Sequence, residues 1–153
     1  MSQTAYNRDF AVAQAGMIAD LGFSDRIESA SAESAVPFGK VVVAGTNPET
    51  QVKVAAADTD TVAGIAVLTH LEQTSAGVAQ YADKETVNVA RKAVVWCPAT
   101  DPVTINTAVY ADLVTVTGNV TGASASNLEI PTAVFRSSKD ATTGLAKVEV
   151  NLP

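Results

Sequence analysis

The chain carries a single cysteine, Cys97, a single histidine, His70, and a single tryptophan, Trp96. One cysteine excludes an internal disulfide and any cysteine-based zinc cluster. It also sets the chain apart from the disulfide-stapled secreted modules. One histidine is too few for a facial-triad or cupin-like metal site. Aromatic residues make up only 5% of the 153 residues, which leaves little for stacking platforms on a sugar-binding face or in a glycosidase cleft. Basic residues are also scarce, 10 against 16 acidic ones, for a formal net charge of -6. Only Arg91 and Lys92 are adjacent, whereas nucleic-acid binding needs a clustered basic stripe. Nucleic acid is therefore not expected as a partner. No run approaches the ~20 consecutive apolar residues of a membrane span. The start of the chain lacks a basic region followed by an apolar stretch, so neither a membrane partner nor a signal peptide is expected.

Small aliphatic residues dominate what is present. Hydrophobic residues reach 47%, but most are alanine and valine. Small side chains bury little area each, at roughly 25 cal/mol per Å². A core built from them is marginal alone and leans on neighbouring subunits. Self-association is the corresponding expectation.

The sequence changes character near residue 38. Residues 1–37 are rich in alanine and carry scattered acids, with Phe10, Met17, Ile18, Leu21, Phe23 and Ile27 as the large hydrophobes between residues 9 and 35. The spacing of Phe10, Gln14, Met17 and Leu21 fits one helical face, with Gly16 interrupting it at ~1 kcal/mol. The alternative, an extended arm that orders against a partner, is preferred. Such an arm adds little to the stability of the body. Residues 38–153 show period-2 alternation of β-branched residues. Strands are predicted over 40–46, 51–56, 62–69, 86–96, 103–110, 113–117, 128–135 and 145–152, separated by turn-forming clusters such as Thr46-Asn47-Pro48 and Thr117-Gly118-Asn119. The expected fold class is all-β, a small β-barrel or β-sandwich preceded by an extended N-terminal arm.

A search for catalytic chemistry finds no support. His70 lacks a nucleophile elbow or a second ligand, and reads as a surface residue at a strand end. Cys97, between Trp96 and Pro98, lacks the cationic or helix-N-terminal setting of a reactive thiol and reads as a small core residue. Asp58-Thr59-Asp60 lacks the glycine and bidentate glutamate of a calcium loop and reads as a turn. No P-loop or dinucleotide-binding glycine motif occurs. The chain is read as a non-enzyme, without metal or cofactor.

Several short elements are distinctive in their order. They are Ala15-Gly16-Met17-Ile18-Ala19-Asp20, Arg26-Ile27-Glu28-Ser29, and Val36-Pro37-Phe38-Gly39-Lys40. Val62-Ala63-Gly64-Ile65-Ala66, Lys92-Ala93-Val94-Val95-Trp96, Ala108-Val109-Tyr110, Ile130-Pro131-Thr132-Ala133 and Thr143-Gly144-Leu145-Ala146 follow. In this order, over nearly the whole chain, they resemble the bacteriophage capsid cement (decoration) protein family. Arg91-Lys92-Ala93 departs from it, since the family commonly places a glycine there. The resemblance implies a protein made in the bacterial host cytoplasm that joins the virion on the outer capsid surface. It also implies the major capsid protein as partner and a trimer as the assembled form. The N-terminal arm would then staple coat subunits, with Phe10, Met17, Ile18, Asp20, Leu21, Phe23, Arg26 and Glu28 as contact candidates. Two other classes remain, a tail or fibre β-protein and a carbohydrate-binding module. The first calls for a repeat or a long apolar edge and the second for exposed aromatic platforms.

Overall fold

The structure, a computed structural model, describes residues 13–20, 22, 25–69 and 80–153. Twelve strands follow in chain order: β1 (Ile18–Asp20), β2 (Arg26–Ala32), β3 (Val36–Pro37), β4 (Val41–Ala44), β5 (Gln51–Val54), β6 (Val62–Ala66), β7 (Gln80–Tyr81), β8 (Thr86–Pro98), β9 (Ala108–Ala111), β10 (Val120–Thr121), β11 (Leu128–Phe135) and β12 (Leu145–Asn151). No helix occurs among the described residues. The fold is all-β.

Strand β8, 13 residues long, organises everything else. Both of its edges are occupied. On one edge lie β1 and β2, and on the other β6 and β12. From β8 the chain of pairings runs through β2, β5, β4 and β6 and back to β8, which closes a five-stranded barrel. Only the β2–β5 contact in this ring is parallel. In the other direction β8 continues through β12, β11, β9 and β10 as a curved sheet. A parallel bridge between Ala99 and Val120 brings the far edge of that sheet back to the chain just beyond β8.

The valine alternation produces two separate cores. One contains Ala32, Val42, Val52, Ala66, Val87 and Val89. Because every strand of the ring contributes to it, this cluster is the barrel interior. Phe38 and Tyr81 cover it, with ring centroids 5.0 Å apart and planes nearly perpendicular. Tyr81 is fully buried, and its hydroxyl donates to the Val67 carbonyl at 2.6 Å. The larger core lies between the barrel wall and the curved sheet, and takes Val41 and Val43 from the opposite face of β4. Along β8 its members are Ala90, Ala93, Val95 and Cys97. The three-residue step from 90 to 93 marks a bulge. Arg26 pairs with Lys92 and Ile27 with Ala90, which leaves Arg91 as the extra residue.

Most predicted strands appear, within a few residues of the expected limits, but two differ. Residues 113–117 form a loop, although Val-Thr-Val-Thr alternates like a strand. The carboxylate of Asp112 takes the backbone N–H groups of Val114, Thr115 and Val116 at 2.8–3.0 Å, replacing the partner strand those groups would otherwise need. The strand predicted from 103 begins only at Ala108, because Asn106 turns the chain at φ 64°. Five short or unusual strands escaped the alternation pattern: β1, β2, β3, β7 and β10. Strand β2, Arg-Ile-Glu-Ser-Ala-Ser-Ala, lies before residue 38 yet forms part of the barrel wall. For residues 26–37 the expected small contribution to stability is thereby corrected. Ala30 and Ala32 pack into the barrel interior. The helical alternative does not occur at Gln14 and Met17, where Gly16 turns the chain at φ +80°.

Candidate contact surface

Backbone bonds fix the described part of the N-terminal segment to β8. The Gly16 N–H donates to the Trp96 carbonyl at 2.8 Å, and the Trp96 N–H donates to the Met17 carbonyl at 2.9 Å. The Gly16 carbonyl also accepts from the Leu68 N–H at 2.8 Å. This packing requires glycine. A Cβ on Gly16 would stand 2.9 Å from the Gly39 nitrogen, and one on Gly39, itself at φ +76°, would stand 2.8 Å from the Gly16 nitrogen. Two sequence elements that are 23 positions apart, Ala15-Gly16 and Phe38-Gly39, thus meet backbone to backbone. Ala13 and Leu145 pack with Trp96 in a small satellite cluster, and the Lys147 ammonium lies 5.1 Å from the Trp96 ring centroid.

The side chains of this segment divide by exposure. Met17 is 40% exposed, Ile18 is half-buried against the larger core, and Asp20 is exposed. Asp20 lines a depression of about 290 Å³ together with Arg136, Lys147 and Glu149. Arg136 and Glu149 form an ion pair there.

Asp20 pairs with Val94 and Arg26 pairs with Lys92. The described pairing along β8 thus stops at Asp20 and resumes at Arg26, with Ala93 alone between their partners. Between the two stretches, Gly22 donates its N–H to Asp25 Oδ2 at 3.0 Å. Phe10, Leu21 and Phe23 lie outside the described residues, as does His70.

Beyond this break in the pairing, charge gathers around Glu28. Its carboxylate lies 3.3 Å from Arg26 Nε and 3.6 Å from Arg91 Nη1. Both guanidinium groups donate to the Pro153 carbonyl, at 2.5 Å from Arg26 and 2.8 Å from Arg91. Arg26 and Glu28 are exposed and Arg91 is half-buried, so each pair adds little stability alone. Together they hold the last described residues against β2. The structure thus joins Arg26 to Glu28, and places Asp20 in a different charged cluster. Arg91, Arg136, Lys147 and Glu149 were not among the sequence candidates. The bulge at Arg91 is signalled only by the paired charges at Arg91-Lys92.

The remaining reactive types have structural roles. Cys97 is fully buried, and burial pushes its thiol far above the usual range. Asp60 Oδ2 accepts the N–H groups of Ala56 and Ala57 at 3.1 and 2.9 Å, closing the turn read in the sequence.

Over residues 1–151 the sequence matches the family described as structural cement protein (E217 gp24/Pam3 gp6). The chain belongs to this phage cement family. It is a structural, capsid-stabilising component of the virion. Its fold is similar to that of a chain from the structure described as "The capsid of Myoviridae Phage XM1", with a TM-score of 0.77 and 15% sequence identity, covering 98% of this chain and 97% of that chain. No curated protein matches it in sequence.

Proposed function

We propose that this cement protein sits on the outer surface of an icosahedral shell as a homotrimer, and bridges neighbouring coat subunits through residues 1–37 without any catalytic step. Neither nucleic acid nor membrane takes part. Within the segment, residues 26–37 root the arm in the barrel wall, and residues 1–25 supply the contacts to coat protein. The observation that carries this reading is the pinned edge along β8. The N-terminal segment is bonded to β8 up to Asp20 and again from Arg26, and Met17 and Ile27 on these bonded stretches are exposed. Exposed apolar groups on a pinned backbone bind with little loss of conformational entropy.

The test is co-sedimentation of the protein with capsids stripped of it, alongside a circular-dichroism melt. Met17→Ala combined with Phe23→Ala is expected to weaken attachment roughly thirtyfold to several hundredfold, at ~1–2 kcal/mol per anchor. The melting temperature of the free protein is expected to stay put. Full binding by the double variant would show that the arm is not the staple.

A further inference from the structure

Between Asp101 and Glu129 the only charged residue is Asp112, and it is 2% exposed, turned inward. Residues 113–128 are the longest stretch of the chain without Asp, Glu, Lys or Arg. They form two loops on either side of β10. Residues 114–117 and 122–126 are all exposed, and all are Val, Thr, Gly, Ala or Ser. Val114 is 69% exposed and Val116 45%. In a protein of net charge -6, this end of the curved sheet presents no charge from its own loops.

The first of these loops is held rigid. Besides the three N–H groups taken by the Asp112 carboxylate, the Thr100 hydroxyl donates to it at 2.6 Å. The Lys40 ammonium donates to the Thr117 carbonyl at 3.0 Å and to Asn119 Oδ1. Asn127 ties the two loops together. Its Oδ1 accepts from the Leu113 N–H at 3.0 Å, and its Nδ2 donates to the Ala123 carbonyl at 2.9 Å. A pinned loop that displays two valines to water gains nothing from them in the isolated protein. Depletion of charge together with preorganisation is the composition of an interface centre.

We propose that these two loops form a second coat-binding surface, separate from the arm, which docks on an uncharged apolar patch of a coat subunit. This rests on the capsid-binding reading above. Size decides the kind of partner. Nine exposed residues are well below the roughly 20–30 per side of a self-sufficient interface. A second copy docking through this face alone would not hold. One contact among several on a multi-subunit shell gains from the effective concentration that the arm supplies.

The experiment compares co-sedimentation with stripped capsids for the unaltered protein, Val114→Lys, Ser124→Lys and a control, Ala82→Lys. Ala82 is also exposed but precedes the opposite end of β8. Each loop variant is expected to lose at least tenfold in affinity with an unchanged melt, and the control to bind as the unaltered protein does. Equal binding by the loop variants overturns this assignment alone. Failure of the unaltered protein to co-sediment overturns the capsid reading and this one with it. If either loop lysine instead breaks up a homo-oligomer of the free protein in light scattering, the face joins copies of the chain and the coat assignment falls.

Discussion

At the scale of the residue, Asp112 combines opposing effects. Burial raises the pKa of its carboxyl, but hydrogen bonds from the Thr100 hydroxyl and from the N–H groups of Thr115, Val116 and Val114 outweigh that, and the value falls from 3.8 to about 2. A carboxylate whose pKa is depressed in the folded state stabilises the fold above its unfolded pKa, and that stability is lost as pH falls through the folded value. At 1.36 kcal/mol per unit, the contribution at neutral pH is about 2 kcal/mol. Asp112→Asn is therefore expected to lower unfolding free energy by about 2 kcal/mol at pH 7, with the difference from the unaltered protein shrinking toward pH 2. Urea denaturation at both values checks this, and a gap of the same size at both would show that the charge is not what holds the loop. Lys40 responds to the same surroundings. Burial lowers its pKa, and the charge of Asp112 opposes the shift.

At the scale of the element, β2 decides how the N-terminal segment relates to the barrel. It pairs with β8 from Arg26 to Ser31 and with β5 at Ser31 and Ala32. Removing it opens the ring and exposes Val52, Val87 and Val89 to water. A chain beginning at residue 26 is expected to unfold cooperatively at a lowered temperature, since it loses the cover that Ala13 gives to Trp96. A chain beginning at residue 38 is expected to lose its cooperative melt. Calorimetry on both distinguishes them, and a sharp transition from the shorter chain near the temperature of the full one would remove β2 from the essential wall. The contrast between β2 and β4 also shows what the sequence makes legible. Val41-Val42-Val43 announces a strand buried on both faces. Ser-Ala-Ser-Ala alternates instead, with little hydrophobic amplitude, because its inward side chains, Ala30 and Ala32, are the smallest apolar ones. The 113–117 error has the opposite cause. Its apolar alternation is strong, and a single side chain, Asp112, supplies the hydrogen bonds that a neighbouring strand would have made. Of the contact candidates, Met17, Asp20, Arg26 and Glu28 are exposed, while Ile18 packs partly into the core. No period in the sequence separates these cases, because the neighbour that covers Ile18 comes from β8, far along the chain.

At the scale of the whole molecule, the larger core is notable for how little each member buries. Sixteen of its twenty-one residues are alanine or valine. With such a core a domain gains from every additional surface covered by a neighbour. Static light scattering of the free protein at micromolar concentration is expected to give three times the chain mass of 15.7 kDa. A strict monomer at that concentration would sink the trimer.

The backbone clasp at Gly16 also bears on how the protein responds to force. A pull on the chain ahead of β2 loads the bonds between Gly16, Met17 and Trp96 and the three residues of β1 before it reaches the seven residues of β2. These bonds lie outside the five-stranded ring, so they can break while the ring stays closed. The barrel wall is thus protected by a short sacrificial length.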